Sequence, residues 1–425
     1  MKTHSTIVIA FIGAFALLAS LFFVLYQVHS VKQEAPVLTA TSTLDRSILL
    51  LQNQFEKDPK NTQAAVGLSE AYLQKIRETG DISYYEKIQK LLDTAEQYAK
   101  DNSEIFATRA EVANGRHDFK AGLNYITQAI AKNSEVSAFY GIKSDSEVEL
   151  GKYDEALDSL QKMIDRKPNF SSFSRVAYQR ELHGDRAGAL EALTAAVSAG
   201  STHTENSAWA YAEMGKLLVK ENPEKARGYF RRSLQIFPNF APALEGLGRI
   251  AFAEKKSKEA ESYYVQAFAS LPLAQYATAL GNFYGSEGKQ GKADQQYALA
   301  ELAYKNSIGV NIDLEYSLFL ADHGDPKEAL THAQSAYAAR PSVYGADAYA
   351  WALLKNNRVA EAQKYITEAL RLGENDPMIL YHAGTIAEAA GKIDKAKEYF
   401  KKALYLDQYA SIYYSKSLAL KNSAA

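Results

Sequence analysis

The amino-acid sequence predicts an all-α protein: a superhelical solenoid of about ten helical hairpins, with a transmembrane helix at its N-terminus. Two observations lead to this prediction. A pattern of small and large residues recurs every 33–37 residues from about Asn61 to Gln408, and a long apolar run, Ile7–Tyr26, precedes it. Self-similarity at this period is typical of stacked helical hairpins. The 425 residues would otherwise suggest two or three domains, but a solenoid grows by adding units.

The apolar run has 20 residues and no charge, and it lies between Lys2 and Lys32. A helix of about 20 residues spans the hydrocarbon layer of a bilayer. A secretory signal has a shorter apolar core, roughly 7–15 residues. We therefore predict an uncleaved signal anchor that is single-pass and leaves the repeats outside the cytoplasm. The alternative is a cleaved signal, which would release a soluble secreted or periplasmic protein.

The chain then divides into five predicted parts. They are a signal anchor (1–30), a polar stalk (31–42), an N-terminal capping helix (43–60), the repeats (61–408), and a C-terminal capping helix with a tail (409–425). The first repeat carries about seven extra residues near 76–83. Capping helices are expected because the terminal units of a solenoid need a polar outer face.

Small residues recur near the middle of the first helix of each hairpin, at repeat position 8. They are Ser69, Ala110, Ser144, Ala177, Gly215, Gly248, Gly281, Ser317, Ala350 and Gly384. Larger residues recur on the second helix, at repeat position 24: Ile126, Leu160, Leu193, Phe230, Tyr264, Tyr297, Ile366 and Phe400, with Ala333 as the exception. The distance between packed helices depends on the side chains at the contact. This alternation therefore predicts close packing of the two helices.

Glycine and proline mark the predicted helix ends. Five glycines fall between the two helices of a hairpin, where a left-handed residue favours glycine: Gly151, Gly184, Gly288, Gly324 and Gly391. Proline cannot continue a helix, and four prolines follow second helices: Pro168, Pro238, Pro272 and Pro341.

This combination of small, large and proline positions resembles the tetratricopeptide repeat (TPR) family over about 350 residues. Two segments, Ser172–Asp185 and Ala321–Pro326, are also similar to bacterial envelope-associated TPR proteins of unassigned function. The resemblance implies that the first helices line a concave surface that binds a protein or peptide. It also implies a bacterial inner-membrane location, with the repeats facing the periplasm.

Carried onto this chain, the ligand-facing positions of the family predict a set of partner-binding residues. They are Tyr178, Trp209, Glu245, Arg249, Asn282, Tyr344, Trp351 and Tyr381. Exposed aromatic residues with an arginine are typical of binding hot spots. The alternative for both tryptophans, Trp209 and Trp351, is packing against the next hairpin. The predicted surface has mixed charge, which does not favour capture of a carboxylate terminus.

Composition narrows the possible chemistry. The net charge is −2, from 48 basic and 50 acidic residues, which argues against a nucleic-acid partner. The chain has no cysteine, which excludes thiolate catalysis and disulfides. Its eight histidines show no metal-binding spacing. We therefore predict no catalytic residue, no metal and no cofactor, and a non-enzymatic scaffold, with assembly of an envelope complex as its expected role. The alternative from another class is an enzyme whose site is assembled from scattered groove residues.

Two local features depart from the simple repeat. His183 and His323 each begin a His-Gly-Asp turn. We expect the histidine to interact as a cation with a helix C-terminus and the aspartate to cap the next helix, with a ligand role as the alternative. Lys143 and Glu147 occupy positions that are usually apolar. They predict either an ion pair at a partly wet surface or a local gap that a partner fills.

Overall fold

The structure is a computed structural model that describes residues 42–200, 204–373 and 376–407. Every regular element in these ranges is helical, and no strand occurs among them. The predicted membrane anchor, the stalk as far as Thr41 and the predicted C-terminal capping helix lie outside the described residues. Within the described ranges, no helix combines the length and the hydropathy needed to cross a bilayer.

A single helix, α1 (Thr43–Lys57), comes first, and the hairpins that follow it all belong to one compact unit, residues 48–425. Ten hairpins follow α1, and each pairs two consecutive helices. They are α2 (Thr62–Thr79) with α3 (Tyr84–Glu96), α4 (Ser103–Gly115) with α5 (Phe119–Lys132), α6 (Ser137–Glu149) with α7 (Tyr153–Arg166), α8 (Phe170–Leu182) with α9 (Arg186–Ala199), α10 (Glu205–Leu218) with α11 (Pro223–Ile236), α12 (Ala241–Ala253) with α13 (Ser257–Ser270), α14 (Ala274–Ser286) with α15 (Gln290–Lys305), α16 (Asp313–His323) with α17 (Pro326–Ala339), α18 (Val343–Lys355) with α19 (Val359–Ala369), and α20 (Pro377–Ala389) with α21 (Ile393–Leu406).

The turns inside the hairpins follow the predicted glycine pattern with one exception. The φ angles of Gly151, Gly184, Gly288 and Gly391 are +70° to +79°. Gly324 instead has φ −127° and ψ −149°, so the left-handed prediction is wrong at this position. Proline at 326 pushes the preceding residue, Asp325, into an extended conformation. The chain therefore enters α17 through an extended turn.

Packing within a hairpin follows the sizes of the residues at repeat positions 8 and 24. Where position 8 is glycine, position 24 is aromatic, and the ring lies over the glycine. A Cβ atom would come within 2.6 Å of Phe230 at Gly215, 2.6 Å of Tyr297 at Gly281 and 2.5 Å of Phe400 at Gly384. Where position 8 is alanine or serine, position 24 is aliphatic, as in Ala177 with Leu193. The large and small residues therefore compensate for each other.

The superhelix closes on itself, so that hairpins two and three contact hairpins eight and nine. The backbone N–H of Asn311 donates to the carbonyl of Arg116 at 2.9 Å. The N–H of Val343 donates to the Tyr153 hydroxyl at 2.8 Å. We call these contacts the seam, and they join residues about 190 positions apart in the chain.

Arg340 is the central side chain of the seam. It is buried, and its guanidinium donates to Glu149 at 2.7 Å and to Glu315 at 3.1 Å. The ring of Phe119 lies 5.0 Å from the guanidinium carbon, so an aromatic face covers the ion pairs. Close by, Val148, Tyr153, Leu182 and Val343 are members of one buried apolar cluster. The seam is therefore both apolar and ionic, and it holds hairpins two and three against hairpins eight and nine; we call the space along the concave face inside this closed turn the channel.

Candidate functional site

Two cavities lie on the concave face, and residues of the first helices line most of each one. The first cavity has a volume of about 510 Å³ and lies between hairpins four to six on one side and hairpins nine and ten on the other. Four of the predicted partner-binding residues line it: Tyr178, Trp209, Arg249 and Tyr344. Its volume lies within the range of known ligand pockets, roughly 300–1,000 Å³.

Opposite charges balance in the first cavity. Its acidic lining residues are Glu181, Glu213, Asp376 and Asp407, and its basic ones are Arg186, Lys216, Lys220 and Arg249. Lys216 lies 3.3 Å from Glu213 and 3.8 Å from Glu181, and the charge of Glu213 raises the pKa of this lysine. Burial raises the pKa of Glu181. Arg249 forms an ion pair with Asp407 at the end of α21. The mixed charge expected from the sequence is therefore present at this cavity.

The second cavity has a volume of about 770 Å³ and runs along α14, α16, α18 and α20. Three predicted residues line it: Asn282, Trp351 and Tyr381. Asn282 accepts a hydrogen bond from the Tyr297 hydroxyl at 2.9 Å. The two cavities share one lining residue, Met378 at the start of α20. They therefore form neighbouring parts of one concave surface.

The two tryptophans have different surroundings. Trp351 is buried, and its indole N–H donates to Asp322 at 3.0 Å. Its ring is stacked on His382, with ring centroids 4.0 Å apart. Trp209 is half-buried at the wall of the first cavity, packed against the core of hairpins four and five. Packing accounts for most of the Trp351 surface, whereas Trp209 keeps a face for contact.

The eighth predicted residue, Glu245, is half-buried on α12 and is not among the residues that line either cavity. After burial, its charge is the next cause that raises the pKa of Tyr276. The structure therefore brings four predicted residues to one cavity and three to the other, and leaves Glu245 apart.

Several lining residues were missed by the sequence analysis. Tyr297 and Tyr304 belong to α15, a second helix, although the family pattern assigns ligand contacts to first helices. Glu315 and Phe319 lie on α16 at repeat positions that the pattern did not select. Met378 and Gln275 carried a usable signal, because they occupy the same repeat position as Trp209 and Tyr344. Tyr297 reaches the second cavity from within its own hairpin, where its ring lies over Gly281.

The two His-Gly-Asp turns differ in the role of the histidine. Asp185 and Asp325 cap the following helices, as predicted. His323, however, lines the second cavity and is stacked on Tyr297, with ring centroids 3.9 Å apart. His323 is the last residue of α16, as expected, and its side chain is exposed. Desolvation lowers its pKa, which favours the neutral form, so its interaction as a cation with the helix C-terminus stays a prediction.

Lys143 and Glu147 form the expected ion pair, at 2.8 Å. The surface is drier than predicted, because only 4% of the Glu147 side chain is exposed. The Ser159 hydroxyl donates to the second carboxylate oxygen at 2.6 Å. The carboxylate therefore has partners from its own hairpin, and no gap opens at this point.

Of the two close histidine–aspartate pairs in the described part of the chain, His382–Asp347 is buried and His332–Asp313 is partly exposed. His382 Nδ1 lies 2.9 Å and 3.0 Å from the two oxygens of Asp347, but His382 is only 1% exposed. No cluster of three or more potential metal-ligating side chains occurs in the described ranges. The accessible groups at the two cavities are suited to binding through aromatic faces and ion pairs.

Comparison with known proteins assigns the repeats. The family model described as "Tetratricopeptide repeat" matches residues 108–169 and 348–411. The chain contains tetratricopeptide repeats. The two matched stretches cover hairpins near both ends of the solenoid, and the hairpins between them follow the same pattern of small and large residues. No curated protein sequence matches the chain.

Among solved structures, this TPR protein is similar to PilW, which is described as a widely conserved type IV pilus biogenesis factor. The two chains are 17% identical, the match covers 50% of this chain and 98% of PilW, and the TM-score is 0.40. It is similar to the human IFIT1 dimer with PPP-AAAA, with 15% identity, coverage of 84% and 77%, and a TM-score of 0.49. It is also similar to yeast Tom70, with 14% identity and a TM-score of 0.36, over 89% of this chain and 96% of Tom70. At these scores the neighbours say nothing about what this chain binds.

Proposed function

We propose that this TPR protein is a non-enzymatic scaffold that holds a short, extended segment of a protein partner in the channel of its concave face. The observation that carries the proposal is the pair of neighbouring cavities, which together contain seven of the eight residues that the repeat pattern selects. TPR folds are typical of protein–protein interaction, and the partner's side chains would enter the cavities.

The dimensions favour an extended segment. First helices of neighbouring hairpins are roughly 8–10 Å apart, and the second cavity runs along four of them. An extended chain advances about 3.3 Å per residue. A segment of about eight residues would therefore follow this cavity.

The position of the scaffold in the cell depends on Ile7–Tyr26. We propose that this segment is an uncleaved anchor, that the repeats lie in the periplasm of a bacterial cell, and that the scaffold holds its partner near the membrane during assembly of an envelope complex. Fractionation with N-terminal sequencing tests the anchor. A full-length chain in the membrane fraction supports it, whereas a soluble mature chain that starts near Val31 supports the secreted form.

Crosslinked affinity capture from native membranes tests the binding face. Trp209→Ala should reduce recovery of the partner without loss of fold, because it removes a half-buried wall of the first cavity. The matched control is Tyr98→Ala, an exposed aromatic residue outside both cavities. Equal recovery with both variants would remove Trp209 from the binding face. If no partner is recovered and a substrate screen detects turnover, the alternative of an enzyme with a site in the groove is favoured.

A further inference from the structure

We infer that the second cavity takes a basic side chain, arginine or lysine, from the bound segment. This inference rests on the proposed function and adds the chemistry that the site selects. It is carried by the charges at the cavity and by the arrangement of its aromatic walls.

The charged lining of the second cavity has a net charge of −1. Glu315 and Asp322 are acidic and Lys355 is basic, and desolvation lowers the pKa of His323, which favours its neutral form. Lys355 lies 3.1 Å from Asp322, so these two charges compensate for each other. The remaining charge is that of Glu315.

Glu315 is only partly compensated by its protein partners. One carboxylate oxygen, Oε1, accepts from Arg340 at 3.1 Å. The same guanidinium makes a shorter ion pair with Glu149, at 2.7 Å. The other oxygen, Oε2, is buried and has no hydrogen-bond donor among the described residues. One arginine therefore serves two carboxylates, and the excess negative charge lies at the cavity wall.

Aromatic rings complete the site. Tyr304 and Phe319 line the cavity beside Glu315, with ring centroids 5.5 Å apart. Burial, and after it the charge of Glu315, raises the pKa of Tyr304. No lysine or arginine lies over the rings of Tyr304 or Phe319 in the described part of the chain. A carboxylate next to aromatic faces is a favourable environment for a cation.

The cavity already contains an internal example of this arrangement. The Lys355 ammonium lies 4.5 Å from the centroid of the Trp351 ring and 3.1 Å from Asp322. An acidic ligand would have to displace Asp322 from Lys355 and would face Glu315. A basic ligand at the wall formed by Glu315, Tyr304 and Phe319 would repeat the combination of carboxylate and aromatic ring. Charge complementarity therefore favours the basic side chain.

The test uses the purified full-length chain in detergent and two small probes, Nα-acetyl-arginine amide and its neutral analogue Nα-acetyl-citrulline amide. With Trp209→Phe as the background, the emission of Trp351 reports on the second cavity. We expect saturable binding of the arginine probe, with binding of the citrulline probe weaker by about 5-fold or more, the range of a partly desolvated cation–π contact.

Two variants give the sign of the effect. Lys355→Gln should strengthen binding of the arginine probe by about 3-fold or more, because it removes a like charge and leaves Arg340 untouched. Glu315→Gln should weaken it by a similar factor. The control is Glu328→Gln, an exposed carboxylate outside the lining of the cavity. Thermal melts establish that each variant is folded.

Four outcomes would each overturn the inference. They are equal binding of the two probes, no binding of either probe, loss of arginine-probe binding in Lys355→Gln, and stronger binding of Nα-acetyl-glutamate amide than of the arginine probe. Its failure can be told apart from failure of the scaffold proposal. If partner capture still depends on Trp209 while the two probes bind equally, only the choice of a basic side chain is wrong.

Discussion

The ring of Phe400 lies directly over Gly384, and a Cβ atom at position 384 would come within 2.5 Å of Cε1 of the ring. The same relationship joins Gly281 to Tyr297. In each case the glycine lies on a first helix and the aromatic residue on the second helix of the same hairpin. Glycine is therefore required at these positions by the size of its partner, although it lowers the stability of an isolated helix.

Gly384→Ala should destabilise the fold by about 1–3 kcal/mol through overpacking. Combination with Phe400→Leu should recover part of that loss, because the smaller side chain makes room for the added methyl group. Urea unfolding of the two single variants and the double variant measures the coupling. The control is Gly228→Ala in α11, where nothing lies within 4 Å of the added Cβ. It should gain up to about 1 kcal/mol from helix propensity. Additive effects of the two substitutions would contradict the packing argument.

The seam should control how compact the repeats are. Arg340→Met would leave Glu149 and Glu315 without their shared guanidinium, and Tyr153→Phe would remove the acceptor of the Val343 N–H group. Each buried group left without its partner costs about 1–3 kcal/mol. The double variant should therefore open the channel and increase the radius of gyration measured by small-angle X-ray scattering.

The matched control for the seam is Arg232→Met, an exposed arginine on α11. It should leave the radius of gyration unchanged. An unchanged radius for the Arg340→Met and Tyr153→Phe double variant would show that the seam does not hold the turns of the superhelix together.

For the ion pair of Lys143 and Glu147, we predict that replacing both residues destabilises the fold less than replacing Lys143 alone. Lys143→Leu alone leaves the Glu147 carboxylate buried without its cation and should cost roughly 2–3 kcal/mol, less than for a fully buried pair because Lys143 is partly exposed. Lys143→Leu with Glu147→Leu should keep or raise the melting temperature. Calorimetry of the wild type and the two variants checks this order, and a double variant less stable than Lys143→Leu would contradict it.

Glu111 should make stability depend on pH. It is half-buried on α4, and burial, followed by the charge of Glu70, raises its pKa to about 7. Between about pH 4.5 and 7 the folded chain then binds more protons at this group than the unfolded chain, so stability falls as pH rises through that window. Glu111→Gln should melt higher than the wild type at pH 8, and the difference should shrink toward pH 4. Exposed Glu259→Gln serves as the control. A difference independent of pH would contradict the argument.

The hairpins could be predicted from the sequence because their determinants are local. The small residues at repeat position 8 and the large ones at position 24 lie within one unit, so their pairing recurs at a fixed spacing. The turn at Gly324 differs because the next helix begins at Pro326. This proline acts locally on the residue before it, but it is not part of the repeated pattern of small and large residues.

The seam could not be predicted in the same way. Arg340 and Glu149 are 191 positions apart and lie at different repeat positions. Their contact depends on the small rotations between successive hairpins, which add up from hairpin three to hairpin eight. No short sequence pattern predicts this total rotation. For the same reason the site was found only in part. Seven of the eight predicted first-helix residues lie at the cavities, and their role in binding stays a prediction, whereas Tyr304 and Glu315 lie at positions that the family pattern does not select.

The most direct test of the binding channel is site-specific photo-crosslinking in native membranes. A benzoylphenylalanine replaces Tyr178 in the first cavity or Thr278 in the second, and Val265, an exposed residue on the second helix α13, serves as the control position. The crosslinked peptides are then identified by mass spectrometry. The account predicts that positions 178 and 278 both crosslink to one short segment of one partner, whereas position 265 does not. Crosslinks only from position 265, or unrelated partners at the two cavity positions, would contradict a binding channel.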